Sequence, residues 1–209
     1  MPIAQKTDVL IVGGGIVGMS VAYYASRLGL STAVLEKGEI AQGTSSRCDG
    51  NILVIDKAPG FDSLLSVESQ KLVAEWAREL PHAFEYRAPG SILVCENEAE
   101  MEAARKWVDR MKALGLPFRM LDRSDLRAES PYFADDLPGG LECESDSTVN
   151  PYLLTYALAD EARKWGTDIR LHTEVRGIAR RTGGGYSVDT DRGEWQANRI
   201  VNAAGCWAP

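Results

Sequence analysis

The chain has 209 residues, 44% of them hydrophobic and 25% charged, enough for one compact domain or for one domain with part of a second. Its formal net charge is -7 with no basic cluster to offset it, which argues against nucleic acid and anionic membrane surfaces as partners. No apolar stretch approaches a membrane span, the run Val9–Val12 is too short for a secretory signal, and cytoplasmic localisation is the expectation.

The chain opens on a short uncharged run, Val9-Leu10-Ile11-Val12, that reads as a buried parallel strand and leads into Gly13-Gly14-Gly15-Ile16-Val17-Gly18. This is G-x-G-x-x-G between a strand and a helix, the setting in which the pattern carries information. Gly13 permits the tight turn, Gly15 lets a pyrophosphate approach the backbone, and Gly18 lets helix and strand pack closely. An anion is favoured at the helix N-terminus, which places Ile16 and Val17 with the three glycines among the expected cofactor-binding residues. The helix continues through Val21, Ala22, Ala25 and Leu28 and stops at Gly29. Thr32–Leu35 is the second buried strand, and Glu36 ends it. A carboxylate there accepts hydrogen bonds from ribose hydroxyls and repels a 2′-phosphate, so FAD or NAD is expected over NADP.

A Gly/Ser/Thr-rich loop follows, Gly43-Thr44-Ser45-Ser46-Arg47-Cys48-Asp49-Gly50. It leaves the C-terminal end of the second strand, where an open parallel sheet carries its ligand crevice. The hydroxyls of Thr44, Ser45 and Ser46 are suitable donors for a pyrophosphate, and capping a short helix is an equally good use of any one of them. Arg47 invites an anion-clamp reading, outweighed by an ordinary charge on the phosphate side or in solvent.

With these residues in view, the chain resembles the amino-terminal part of the D-amino-acid oxidase family of flavoproteins. That family includes glycine oxidase, sarcosine oxidase and the beta subunits of heteromeric proline, hydroxyproline and opine dehydrogenases. The resemblance rests on the glycine turn, on Glu36 followed by Lys37, and on Thr44-Ser45-Ser46-Arg47 with Gly50, the last group being most similar to the heteromeric beta subunits. It implies FAD as cofactor, with Lys37 and Gly50 added to its binding residues. Ser46 and Arg47 stand where several members carry a histidine for covalent flavin attachment, which implies non-covalent FAD.

Phe61–Leu80 reads as a helix with Leu65, Leu72, Trp76 and Leu80 on its apolar side, ended by Pro81. Tyr86–Cys95 reads as a strand pair about Pro89-Gly90. Ala99–Leu114 is a strongly amphipathic helix whose stripe of Met101, Ala104, Trp107, Val108 and Met111 is expected in the core. A short helix capped at Ser124 precedes a strand at Gly139–Cys143. Asn150-Pro151 starts a helix that stops at Gly166 and buries Leu153, Leu154, Ala157, Leu158 and Ala162. Asp168–His172 returns as the third strand of the nucleotide sheet. The span 52–149 is too long for a plain crossover and reads as an inserted α+β substrate-side layer.

Near the end, a hairpin of Tyr186–Asp189 and Trp195–Asn198 is expected, then a last strand Arg199–Val201 running into Ala203-Ala204-Gly205-Cys206-Trp207. The resemblance implies that Ala204, Gly205 and Trp207 lie against the FAD phosphates and that Val175 meets adenine through its backbone. The expected fold is therefore α/β: a Rossmann-like FAD-binding parallel sheet over residues 1–51 and 150–209, with the inserted layer at 52–149. The resemblance covers the first half of the family pattern, which implies an incomplete C-terminal side with an open sheet edge beside Ile200–Ala203. A missing C-terminal half or a second subunit is then an expected partner.

The function so implied is FAD-dependent oxidation of the C–N bond of an amino acid, imino acid or secondary amine, by hydride transfer to flavin. The alternatives are an NAD-dependent dehydrogenase and a non-catalytic nucleotide-binding half that needs a partner chain. The resemblance implies that such residues lie mostly outside this half, so no residue is assigned a catalytic role. Cys48, Cys95, Cys143 and Cys206 are scattered and only His82 and His172 accompany them, so no metal site is expected.

Overall fold

The computed structural model describes residues 5–208. In chain order its elements are β1 (Gln5–Val12), α1 (Ile16–Arg27), β2 (Thr32–Leu35), β3 (Asn51–Ile52), α2 (Phe61–Glu79), β4 (Ser91–Cys95), α3 (Glu98–Ala113), β5 (Phe118–Asp122), α4 (Arg123–Glu129), β6 (Gly139–Cys143), β7 (Ser147–Thr148), α5 (Pro151–Lys164), β8 (Asp168–Arg170), β9 (Val175–Arg180), β10 (Tyr186–Thr190) and β11 (Gly193–Asn202). Two compact units contain them. One is formed by Gly50–Glu79 and Glu85–Val149, the other by the chain up to Asp49, Leu80–Phe84 and the chain from Asn150.

The unit that holds both chain ends is built on a six-stranded sheet in the order β8-β2-β1-β11-β10-β9. The first four strands are parallel, and β10 and β9 extend the sheet as antiparallel neighbours. The central strands are apolar without alternation because both faces are covered; Leu10, Ile11 and Val34 are fully buried. Helices α1 and α5 pack on each other. Their buried faces are rich in small residues, Gly18, Ala22 and Ala25 on α1 and Ala157, Ala159 and Ala162 on α5. Larger Met19 on α1 and Leu154 and Leu158 on α5 are buried as well, each worth about 1.5–3 kcal/mol when removed from water. Leu153, expected on the buried side of α5, is instead 38% exposed. It is the third helical residue, in the first turn of α5.

The expected hairpin strand and last strand are one element. β11 runs unbroken from Gly193 to Asn202, since nothing between Asn198 and Arg199 breaks an extended chain. It pairs with β10 only as far as Ala197 but with β1 through Asn202. Beyond Ala197 it therefore lacks a strand on one side among the described residues, the edge expected beside Ile200–Ala203.

Asp8 of β1 ties β11 and the residue just before β2 together. Its carboxylate accepts from the Ser31 hydroxyl (2.6 Å) and backbone N–H (3.0 Å), and from the Asn198 amide (2.9 Å). The Ser31 hydroxyl bond, chiefly, holds the Asp8 carboxyl below its ordinary 3.8. A depressed folded-state pKa contributes stability above the ordinary carboxylate range and loses it as the pH falls through the folded value. The urea midpoint of wild type should thus exceed that of Asp8→Ala at neutral pH, and the gap should close below about pH 4. A gap independent of pH would show that this carboxylate does not stabilise by its charge.

The other unit is α+β. It has a three-stranded antiparallel sheet, β4-β6-β5, and a two-stranded ladder, β3-β7. The stripe of α3 lies in its core as expected, Met101, Ala104, Val108 and Met111 being buried with Phe118, Leu141 and Cys143, while Trp107 is half-buried. Three sequence expectations change here. Pro89-Gly90 is a turn, with Gly90 at φ +77°, but β4 pairs with β6, and Arg87 makes only a single bridge to Thr148; a local turn signal does not choose a strand's partner. Leu65 and Leu72 of α2 are 55% and 39% exposed, whereas Trp76 and Leu80 are buried as expected and Val73 is buried as well. The cap of α4 is Asp122, whose side chain accepts from the Asp125 N–H while Asp125 returns the bond to Asp122, a reciprocal box that ends the unexpected strand β5.

Candidate dinucleotide-binding site

The site grows from the end of β1. Gly13 has φ +109°, and a Cβ there would lie 2.3 Å from the Ala203 carbonyl oxygen. Its N–H donates to Leu35 O (2.9 Å), while the Ala203 N–H donates to Val12 O (2.9 Å). The turn is thus wedged between the exits of β2 and β11, and only glycine fits. A Cβ on Gly18 would fall 2.0 Å from the Gly13 carbonyl oxygen, so this residue sets how closely α1 lies on the turn.

Helix α1 begins with Gly15 as its N-cap, without a side-chain cap of its own and without an acid in its first turn. Ser45 supplies the missing oxygen from elsewhere: its hydroxyl accepts from the Ile16 N–H at 2.9 Å. Thr44–Ser46 forms a single 3-10 turn, with Arg47 as its C-cap. The Arg47 guanidinium donates to the carbonyls of Gln42 (2.5 Å) and Gly43 (3.0 Å), so it staples its own loop. The anion-clamp reading of Arg47 finds no support in that geometry.

Glu36 closes the opposite side. Its two carboxylate oxygens accept from the N–H groups of Gly14 (2.6 Å) and Gly38 (2.7 Å). Its carbonyl accepts from Thr173 N–H (2.9 Å), and the Ala41 N–H donates to Gly14 O (3.0 Å). Ala41 and His172 hold left-handed backbones at φ 62° and 51°. His172 also meets the Glu39 carboxylate at 2.9 Å, and His82 lies 4.0 Å from Asp160.

After β11 the chain turns at Gly205, φ 63°, and its last described turn folds over the loop from β2. The Trp207 ring lies 3.1 Å from where a Gly43 Cβ would stand, and the Lys37 ammonium sits 4.5 Å from the ring centroid. Asn202 Oδ1 holds the Ala204 N–H at 3.2 Å.

The structure therefore gathers Gly13, Gly15, Ile16, Val17, Gly18, Glu36, Lys37, Thr44, Ser45, Ser46, Ala204, Gly205 and Trp207 on the first turn of α1 and the loops around one glycine turn. Val175 stands at the start of β9, half-buried in the sheet core, two residues past the Thr173 that bonds Glu36. Gly50 belongs to the other compact unit, where its carbonyl accepts from Val149 N–H at 3.0 Å. Sequence reasoning missed Ala41, Thr173 and Asn202, whose parts are played by backbone groups and by a strand-end amide. Asn202, next to the Ala-x-Gly-x-Trp stretch, is the one of these that could have been found.

The donor set suits a dinucleotide phosphate: backbone N–H groups at a helix N-terminus, hydroxyls beside them, and no carboxylate in the first turn. Glu36 presents its carboxylate just past the end of β2, where the pattern puts a ribose. Strand order, glycine turn and terminal acid together define a dinucleotide-binding α/β protein. The family of FAD dependent oxidoreductases of the DAO type matches residues 8–209, and the chain belongs to that family. It is 30% identical over 207 residues to the mitochondrial dimethylglycine dehydrogenase of Rattus norvegicus, covering 98% of this chain and 24% of that protein. The crystal structure of glycine oxidase from Geobacillus kaustophilus superposes with a TM-score of 0.91 at 26% identity, covering 98% of this chain and 57% of that one. L-alpha-glycerophosphate oxidase from Mycoplasma pneumoniae, solved with FAD bound, gives 0.87 at 28% identity, covering 96% and 54%. The chain thus spans about a quarter of the first of these relatives and a little over half of the other two. Among the described residues no helix is long and apolar enough to cross a membrane.

Proposed function

We propose that this chain supplies the cofactor-holding half of an FAD-dependent enzyme that oxidises the C–N bond of an amino acid, imino acid or secondary amine. The observation that carries the reading is Glu36, whose carboxylate spans the glycine turn and the loop after β2, facing the α1 N-terminus that Ser45 caps. Gly13, Gly15, Ile16, Val17 and Gly18 receive the pyrophosphate, Ser45 with Thr44 and Ser46 adds hydroxyl donors, and Glu36 takes the ribose hydroxyls. Val175 and Gly50 are part of the proposed contact set, as are Ala204, Gly205 and Trp207.

Bound flavin supplies the acceptor for a hydride leaving the carbon beside nitrogen. The residues of this chain bind and orient; none is assigned a proton transfer. The amine substrate rests on the family and on relatives named for dimethylglycine and glycine. A third is named for a glycerophosphate, so the shared half is read as carrying cofactor binding, and substrate choice is placed outside it. The inserted span 52–149 is read as the substrate side, and the rest of that side as coming from further chain or a second subunit. A reducing, cytoplasmic setting fits four free cysteines, two of them buried.

The test is an absorption spectrum after adding FAD and removing the excess. Bands near about 370 and about 450 nm are expected; NAD should not compete. In Glu36→Ala, lost charged hydrogen bonds of about 1.5–3 kcal/mol should weaken FAD on the order of 10- to 100-fold. Undiminished affinity would remove Glu36 from the ribose site.

A further inference from the structure

We propose that Lys37 is a positioning residue that acts through Trp207: the two form a latch fastening the chain after β11 to the loop after β2, across the glycine turn. The proposal rests on the FAD reading for its consequence, not for its geometry.

Lys37 follows the ribose-side acid and is expected to meet the cofactor directly. Its ammonium also has a partner within the chain itself. Each oxygen of the adjacent Glu36 accepts one backbone N–H, from Gly14 or Gly38, and keeps a lone pair for a further donor, and the Lys37 ammonium forms no ion pair among the described residues. It stands 4.5 Å over the centroid of Trp207, well within the range of a cation–π contact. The ring has its own seat, because Gly43 leaves open the space a side chain would fill, with 3.1 Å between the built Cβ and the ring edge.

What the latch joins is specific. On one side lies the Gly43–Ser46 stretch, whose Ser45 hydroxyl caps the Ile16 N–H. On the other lies the chain from Ala203, whose carbonyl fills the space beside Gly13. Apart from the latch, the turn Gly205–Trp207 is held by short backbone bonds, Trp207 N–H to Ala204 O (3.3 Å) and Ala208 N–H to Gly205 O (3.2 Å). Those bonds close the turn on itself and do not anchor it to the loop. The Lys37–Trp207–Gly43 stack does, so the two walls beside the glycine turn keep their spacing before any dinucleotide arrives.

The contact is read first in the FAD-free chain. In a lysine-labelled sample, the ε-methylene resonance of Lys37 should be displaced upfield by the indole ring and return to its ordinary position in Trp207→Leu. An unshifted wild-type resonance overturns the latch. FAD affinity then forms a double-mutant cycle. Lys37→Met and Trp207→Leu should each weaken binding roughly threefold, the range of an exposed cation–π contact, and the double variant should be no weaker than either. Lys37→Arg should retain wild-type affinity. Additive losses, or a salt dependence of FAD binding that drops in Lys37→Met as it would for a lost phosphate contact, overturn the proposal in favour of direct contact. Wild type that takes up no FAD would sink the cofactor reading, while the resonance of the FAD-free chain still decides the latch.

Discussion

Asp146→Ala should unfold the α+β unit under conditions in which the wild-type chain is stable. Asp146 is fully buried and gathers four donors from separate parts of the chain. These are the N–H groups of Val54 (2.7 Å) and Ile55 (3.3 Å), the Gln70 amide of α2 (2.8 Å) and the Ser91 hydroxyl of β4 (2.5 Å). Gln70 bonds Ile52 O as well (3.0 Å), so one carboxylate closes a network joining β3, the loop behind it, a helix and the three-stranded sheet. Alanine would leave those donors buried without an acceptor, at about 1–3 kcal/mol each. The expected loss is at least about 3 kcal/mol, a large share of the stability of a domain. Asp146→Asn keeps one acceptor oxygen and nearly the same volume, and the Ser91 hydroxyl can turn to accept, so it should cost about half as much. Urea unfolding of both variants checks the order. Equal midpoints for alanine and wild type would mean that the network does not depend on this carboxylate.

The second large effect separates two glycines of one motif. Gly13→Ala meets two obstacles at once, a φ of +109° and an Ala203 carbonyl oxygen 2.3 Å from the new Cβ. That oxygen is backbone, and its residue is tied to Val12 by a 2.9 Å bond, so it cannot swing aside. Strain of about 1–3 kcal/mol and overpacking of similar size should lower the unfolding midpoint and abolish FAD uptake together. Gly15→Ala differs. Gly15 has an ordinary φ of −81°, and its Cβ would meet only the Ser45 hydroxyl at 3.0 Å, a side-chain atom that rotates. Its stability should stay within about 1 kcal/mol of wild type, while a methyl group where a pyrophosphate must approach should weaken FAD at least tenfold. Unfolding and flavin titration of the two variants measure this split. Equal stability losses would show that the turn has no special position at Gly13, and unchanged FAD affinity in Gly15→Ala would move the phosphates away from it.

Much of this site was legible in the sequence because its parts are local. A strand without alternation, three glycines at fixed spacings and an acid at the next strand end each follow from turn geometry and burial over a few residues. The stop of α1 at Gly29, with φ +77°, and the cap of α5 by Asn150, accepting from Leu153 N–H at 3.1 Å, are of the same kind. So is the core stripe of α3, whose 3.6-residue period states which face is buried.

Other features depended on elements far apart in the chain. Nothing local to Asn198 and Arg199 distinguishes two strands from one; the pairing of β11 with β1, from Gln5↔Trp195 to Val12↔Asn202, made the strand continuous. β4 took β6 rather than a hairpin neighbour because the sheet assembled across α3 and β5. Arg47 turned onto its own loop, Ser45 capped a helix 29 residues away, and Lys37 found Trp207. By itself, then, the sequence determined the class of fold, the glycine turn and the acid beside it, since backbone sterics and hydrophobic period act within a few residues. Tertiary structure alone decided which donor meets which acceptor around that turn, because a side chain's partner is chosen by the elements that stack against it.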